Sequence, residues 1–366
     1  MLKVFEAFSG YGSQRMALRN LGIDHEIVGI SEIDGDAILS YSAIHNNLSN
    51  FIKNDVMKTE EEMKKYLEKI NVPLDYKTFQ NKASKLKGEK LKRIYLANKL
   101  SRNYGDIKKI KPDNLPDFDF FTYSFPCQDI SIAGSQSGLS ENSNSRSSLL
   151  WECLKIIKYK KPKILMMENV KNLIGKNHKK NFDTFLQSLS SLGYKNHWCV
   201  LNARDFNIPQ NRERVFCISI LNNSYTFEFP KPYELTLKVT DLLEKEVDNK
   251  FILKNNQVTE EPIFQKYIYC LDSNYWKGTS LTDFLAKRRR QLVSCSKNKD
   301  GEYPVRRLTP LETWRFMGCS DKDFTKAQEF VSNTNLYKQS GNSIVVPVLE
   351  AIFKNLFCNH LNSKKI

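Results

Sequence analysis

The side chains able to do chemistry in this sequence stand at the ends of apolar runs. Cys127 follows FDFFTYSF (118–125), with only Pro126 between. The carboxyl end of a buried strand is where open α/β sheets place their sites. A cysteine is more often a small buried hydrophobe than a nucleophile, but Pro126 fixes the backbone before this one and polar Gln128 and Asp129 follow it. The chemistry on offer is thiolate addition, provided the site lowers a free thiol pKa of ~8.5. Glu168-Asn169-Val170 closes the next apolar run, PKILMMEN (162–169). A carboxyl leaving an apolar strand tends to a raised pKa, which suits proton donation. Gln210-Asn211-Arg212-Glu213-Arg214 opens a third run, VFCISI. Two arginines with one residue between them project to the same side of an extended chain and supply rigid donors for a base edge, a phosphate or a carboxylate. A strand-end ion pair would explain either arginine taken singly.

A second kind of site opens the chain. After LKVFEAF (2–8), Gly10-Tyr11-Gly12 lets backbone approach a ligand at a helix N-terminus. Arg15 fills the sixth position, where dinucleotide-binding turns place Gly or Ala beside a pyrophosphate. The turn therefore suits a nucleoside without a diphosphate. Glu32 comes 20 residues after Gly12, at a strand end, where an acid can accept both ribose hydroxyls.

These residues require a particular scaffold. A strand over 2–8, a helix over 13–21 closed by Gly22 and a strand over 26–33 form the opening of a doubly wound α/β fold. Further strands are expected at 118–125, 162–169 and 214–220. Between them, 127–148 is Ser-, Asn- and Gly-rich, as a lid or binding loop would be. The stretch 46–104 departs from this punctuation. A Thr59/Glu62 capping box starts a helix carrying Met63, Leu67 and Ile70, and a second is expected at about 89–102. Seven basic residues against one acid lie between Lys77 and Arg93, which marks a helical, basic insertion with a solvated or DNA-facing surface. From 223 to 304 the pattern weakens into short strands, turns and the cluster Lys287-Arg288-Arg289-Arg290.

Composition narrows the class. Lys and Arg number 56 against 41 Asp and Glu, a net charge of +15 that favours a polyanion, although a lysine-rich proteome would give the same excess. The eight cysteines form no C-x-x-C pair and flank no paired histidines, so no metal site is expected. Their scatter fits a reducing cytoplasm, and neither a leader nor a membrane-length apolar run is evident.

Taken in order, the motifs resemble those of the bacterial cytosine-5 DNA methyltransferases along nearly the whole chain. FEAFSGYGS resembles the family's cofactor turn, GDI (105–107) its adenine-binding strand end and SFPCQDISIAGSQSGL its catalytic loop. ENV resembles its catalytic acid motif, QNRERVF its base-holding arginines, RRLTPLETWRFMG (306–318) the segment after target recognition and YKQSGNSIVV (337–346) the final cofactor motif. The resemblance implies an α/β, Rossmann-like S-adenosylmethionine-dependent fold over 1–222, completed by 335–366, with a small target-recognition domain at 223–334. It implies a sequence-specific restriction-modification enzyme, of bacterial or phage origin, that flips a cytosine from double-stranded DNA. The chain would act as a monomer, beside a cognate restriction endonuclease where the system has one. S-adenosylmethionine would become S-adenosylhomocysteine without a metal.

By the same resemblance Cys127 is the nucleophile, Glu168 the acid, Arg214 the holder of cytosine O2 and Arg212 the brace of the closed loop. Phe8, Gly10, Gly12, Glu32, Ile33, Asp106, Ile107, Pro126, Leu149, Asn342 and Ser343 would bind the cofactor. Gln128, Ser131, Arg146, Lys277, Arg288, Arg289 and Arg290 would meet DNA. Ile33 departs from the family, which often stacks a Trp on adenine there, and 46–104 is longer than in minimal members. Three other readings compete: a tRNA cytosine-5 methyltransferase, a silent DNA-binding relic and an NAD-dependent oxidoreductase. The long stretch before RRLTP opposes the first, intact Cys127, Glu168 and arginines the second, and Arg15 the third.

Overall fold

The computed structural model describes residues 1–53, 58–75, 78, 80–126, 149–222, 227–258, 266–287, 290–294, 299 and 301–358. β1 (Leu2–Ala7), β2 (His25–Ser31), β3 (Phe120–Tyr123) and β4 (Ile164–Val170) run parallel. β5 (Tyr194–Asn202) follows; β6 (Gln210–Asn211) then precedes β7 (Glu213–Leu221), which lies antiparallel against β4. The spatial order is β2-β1-β3-β4-β7-β5. Parallel strands covered on both faces need continuous apolar runs, and every residue of β3 and Ile164 to Asn169 of β4 are buried. Strand order reverses between β1 and β3, so the carboxyl ends there flank the crevice in which such sheets bind ligands.

The helices of this half are α1 (Ser13–Asn20), α2 (Gly35–His45), α3 (Leu48–Ile52), α4 (Glu60–Lys69), α5 (Gly88–Leu100), α6 (Leu149–Lys160) and α7 (Lys179–Ser191). Leu150, Ile157, Phe182 and Phe185 from α6 and α7 pack with Phe5, Phe121 and Leu165 of the sheet into one core. The expected capping box starts α4: the Thr59 hydroxyl accepts from Glu62 N at 3.2 Å and the Glu62 carboxylate accepts from Thr59 N at 2.9 Å. The basic stretch is more than an appendage. α5 packs on α2 and buries Leu91, Ile94, Ala97 and Asn98.

The chain divides into two compact units: Met1–Leu201, Glu213–Pro230 and Glu350–Ile366 form the first, Asn202–Arg212 and Lys231–Leu349 the second. The second holds β8 (Ile252–Val258), β9 (Ile268–Tyr269), β10 (Leu292–Ser294) and β11 (Tyr303–Arg307), with the antiparallel sheet order β10-β11-β8 and β9 paired to β6. Its helices are α8 (Leu281–Lys287), α9 (Pro310–Arg315), α10 (Asp321–Gln328) and α11 (Asn333–Asn342); α12 (Val346–Phe353) crosses back to the first unit. Residues 202–212 and 335–349 thus belong elsewhere than boundaries at 222 and 335 assumed. Arg212 explains why: it is buried, and it hydrogen-bonds carbonyls of 271, 341 and 343, all within the second unit. The run Asn333–Cys358 is long and apolar enough by composition to cross a membrane, but 61% of its most apolar window is buried inside the protein, as in a core helix.

Candidate active site

Antiparallel pairing of β7 with β4 brings the acid and one arginine together. Glu168 pairs with Phe216 and Val170 with Arg214, so positions 168 and 214 are diagonal neighbours on one face. Arg214 Nε lies 3.3 Å from Glu168 Oε1, with the side chains 15% and 9% exposed. Asn169 faces the opposite way and donates to the Phe125 carbonyl at 3.0 Å, two residues before Cys127. One strand end therefore places the acid and anchors the chain entering the cysteine loop.

The glycine turn is built around Glu32. Its Oε2 accepts from Gly10 N at 2.9 Å, and its Oε1 from Ile33 N at 2.8 Å and Asp34 N at 2.9 Å. Burial, with the charge of Asp34 adding, holds this carboxyl above its ordinary range against those three donors. Asn103 fixes the same strand end, accepting from Glu32 N at 3.0 Å and donating to Glu32 O at 2.8 Å. Gly10, at φ +56, has open space where a Cβ would stand; a Cβ on Gly12, at φ +86, would lie 2.5 Å from His45 Nε2. Gly10 thus leaves room for a ligand, while Gly12 lets His45 and Tyr41 pack close against the turn. Phe8 also has positive φ, 56, and its N–H donates to Ser31 O at 2.7 Å, tying the ends of β1 and β2. Asp106 accepts from Lys108 N at 3.0 Å through one carboxylate oxygen and from Asn71 Nδ2 at 2.8 Å through the other. Ile107 and Leu149 are buried, Ile33 and Pro126 half-buried.

In the second unit, Ser343 Oγ donates to Ser340 O at 3.0 Å, and Asn342 is exposed at the end of α11. Arg212 is held by backbone carbonyls, and the 127–148 segment it was expected to brace lies outside the described residues. Its guanidinium donates to Leu271 O at 2.8 Å, Gly341 O at 2.9 Å and Ser343 O at 2.7 Å. The expectation that both arginines project to the same side of one extended segment assumed an unbroken strand, but β6 ends at Asn211 and β7 starts at Glu213, so strand alternation does not run through position 212.

The model of the C-5 cytosine-specific DNA methylases matches residues 60–358. The chain belongs to this family. It is an S-adenosylmethionine-dependent methyltransferase that acts on carbon 5 of cytosine in DNA. Similar relatives include the type II methyltransferase M2.ScrFI of Lactococcus lactis subsp. cremoris, 68% identical over 98% of this chain and 99% of that one. The orphan methyltransferase M.SssI of Spiroplasma monobiae is 35% identical over 97% of each. Among solved structures, the S. pombe Dnmt2 methyltransferase superposes with TM-score 0.63 over 99% of this chain and 100% of that one; at 18% identity it supports the α/β methyltransferase fold alone.

Within this methylase, Cys127, Gln128, Ser131 and Arg146 lie outside the described residues, as do Arg288 and Arg289. Burial pushes the thiols of Cys153, Cys199 and Cys217 up, the last two to about 12, so none of these three offers a thiolate at neutral pH. Lys277 is exposed, its Nζ 5.7 Å from the Trp276 ring centroid. Arg290, expected on DNA, donates through Nη1 to Gly278 O at 2.7 Å from a backbone at φ 53 and so fastens that turn. No group of three or more potential metal ligands occurs among the described residues. Sequence reasoning missed the supporting amides of Asn169, Asn103 and Gln210; Gln210 is fully buried, donates to Phe316 O at 2.8 Å and accepts from Leu271 N at 3.1 Å. Asn169 and Gln210 stood inside motifs already singled out, whereas Asn103 carried no signal beyond standing just before GDI.

Proposed function

We propose that the chain flips a target cytosine out of double-stranded DNA and methylates it through a covalent bond between Cys127 and carbon 6. The observation that carries this reading is the Glu168–Arg214 pair at the carboxyl end of β4, beside the Asn169 hydrogen bond that holds the chain entering Cys127. Carbon 5 of cytosine is too electron-poor to take a methyl group unaided. Addition of the Cys127 thiolate to carbon 6 breaks the 5,6 double bond and leaves carbon 5 a nucleophile. Glu168 meets N3 and the exocyclic amine and balances the charge that develops there; Arg214 holds O2. Once carbon 5 is substituted its proton leaves, and the sulfur departs by β-elimination. Flipping costs a few kcal/mol, which closure of 127–148 with Gln128, Ser131 and Arg146 on the DNA would offset.

S-adenosylmethionine, when bound, supplies the methyl group and becomes S-adenosylhomocysteine. The open space at Gly10 and the oriented carboxylates of Glu32 and Asp106 fit it. Phe8, Gly12, Ile33, Ile107, Pro126, Leu149, Asn342 and Ser343 would complete the site, with Asp106 accepting from the adenine amine. Target recognition belongs to the second unit, with Lys277, Arg288 and Arg289 on DNA. The chain works as a monomer in the cytoplasm. Its 68% identical relative bears a type II name, which favours a cognate restriction endonuclease beside it.

Bisulfite sequencing of DNA from cells expressing the protein tests the reaction. One sequence context should be protected throughout, and the Cys127→Ala protein should leave none protected. Protection by Cys127→Ala within tenfold of wild type would remove the nucleophile assignment.

A further inference from the structure

Ile33 and Asp106, which would hold the adenine, are gripped from behind by the turn that ends α4. Asp106 N donates to Ile70 O at 3.0 Å, and Leu74 N donates to Ile33 O at 3.0 Å. Gly105 stands at φ +74 with the Ile70 carbonyl oxygen 1.8 Å from where a Cβ would be, so only glycine fits. Inside this clamp Asn71 has a left-handed backbone, φ 58. Its Nδ2 donates to Asp106 Oδ2 at 2.8 Å, and its Oδ1 accepts from Asn81 Nδ2 at 3.1 Å. The other Asp106 oxygen is held by Lys108 N at 3.0 Å. One oxygen is thus fixed by the local turn and the other by the 46–104 stretch.

We propose that Asn71 is a positioning residue for S-adenosylmethionine. Its amide sets the Asp106 carboxylate for the exocyclic amine of adenine, and the 46–104 stretch serves the cofactor pocket. The inference rests on the reading of Asp106 given above. A carboxylate at a turn otherwise samples several rotamers, and binding must freeze one; a donor that freezes it beforehand removes that cost. An amide suits the task because it orients the oxygen without neutralising the charge the adenine amine requires. Asn81 in turn fixes which end of the Asn71 amide faces Asp106.

The test is titration calorimetry of the full chain with S-adenosylhomocysteine and with its inosyl counterpart, in which a 6-oxo group replaces the amine. Asn71→Gly keeps the left-handed backbone and deletes the amide. It should weaken the adenosyl ligand about fivefold to tenfold, the size of a typical net intramolecular hydrogen bond, and the inosyl ligand less than twofold. Asn81→Ala should act in the same direction with a smaller effect. Melting of the ligand-free proteins shows whether each variant is folded at the titration temperature. Asp106→Ala should abolish the preference for adenosyl. If it does while Asn71→Gly keeps the wild-type preference, or weakens both ligands equally, the positioning role is wrong and Asp106 stands. If Asp106→Ala retains the preference, adenine is held elsewhere and both assignments fall.

Discussion

Arg306 and Glu312 in the second unit meet through two hydrogen bonds of 2.8 and 2.7 Å, with side chains 3% and 0% exposed. Arg214 and Glu168 in the first meet at 3.3 Å and remain 15% and 9% exposed. Glu312 also accepts from Thr309 N at 2.8 Å and Glu244 N at 2.7 Å. Its four lone-pair sites are therefore taken, and a carboxylate so saturated has nothing left for a ligand. Glu168 instead stands near the end of β4, next to Asn169, which holds the Phe125 carbonyl two residues before Cys127. The burial of Glu312 and its four framework donors, rather than the mere presence of an ion pair, mark that pair as structural.

That contrast can be broken by mutation. Glu312→Ala should cost the most, about 3–5 kcal/mol, because it strands the buried Arg306 guanidinium. Denaturant unfolding reads the loss, and Glu168→Ala should cost less in the same assay, because Arg214 keeps more solvent and a second acceptor in the Glu213 carbonyl. Equal losses would dissolve the distinction. Glu168→Gln should instead lower turnover by about 10²–10³-fold, the usual size for removing a group that meets developing charge. Its affinity for S-adenosylhomocysteine should not change; weakened binding would mean that Glu168 shapes the cofactor pocket.

Glu6 sharpens the same contrast through pH. Burial in β1 raises its carboxyl to about 7, although Tyr41 donates to it at 2.7 Å and the charge of Arg15 also opposes the rise. The unfolded chain gives up this proton near pH 4.5, the folded protein only near 7. The protonated acid's contribution is therefore complete below about 4.5 and is lost as pH rises to about 7. Glu6→Gln should flatten the loss and stabilise the protein at pH 8 by roughly 1–3 kcal/mol. Melting curves that stay parallel to wild type from pH 5 to 8 would show that Glu6 is not a strained acid.

How much of this was legible in the sequence varied between the units. In the first, parallel strands must be continuously apolar, so their polar ends stand out: Glu32 follows β2 and Glu168 lies in the last three residues of β4, whereas Asp106 follows no strand and was marked by the GDI motif alone. Arg214 was legible only as a residue of the QNRERVF motif; the antiparallel run of β7 that sets it beside Glu168 had no local signal. Arg212 and Arg290 were no more legible. Each donates to carbonyls that lie elsewhere in sequence, at 271, 341 and 343 for the one and 278 for the other, and nothing local marks an arginine as spoken for. Asn71 was hidden for the same reason: its partner Asp106 lies 35 residues on, beyond α5 and a basic stretch that charge alone marked as a surface.

The claim on which the rest depends is covalent attack by Cys127. Fluorine at carbon 5 cannot leave as a cation, so DNA carrying 5-fluorocytosine at the target should stall as a methylated adduct. Denaturing electrophoresis should show a complex that requires both S-adenosylmethionine and Cys127, and that Glu168→Gln forms far more slowly. Peptide mapping should place the bond on Cys127. Efficient turnover of the fluorinated DNA, or a stable adduct on Cys153, Cys217 or any other cysteine, would contradict the mechanism.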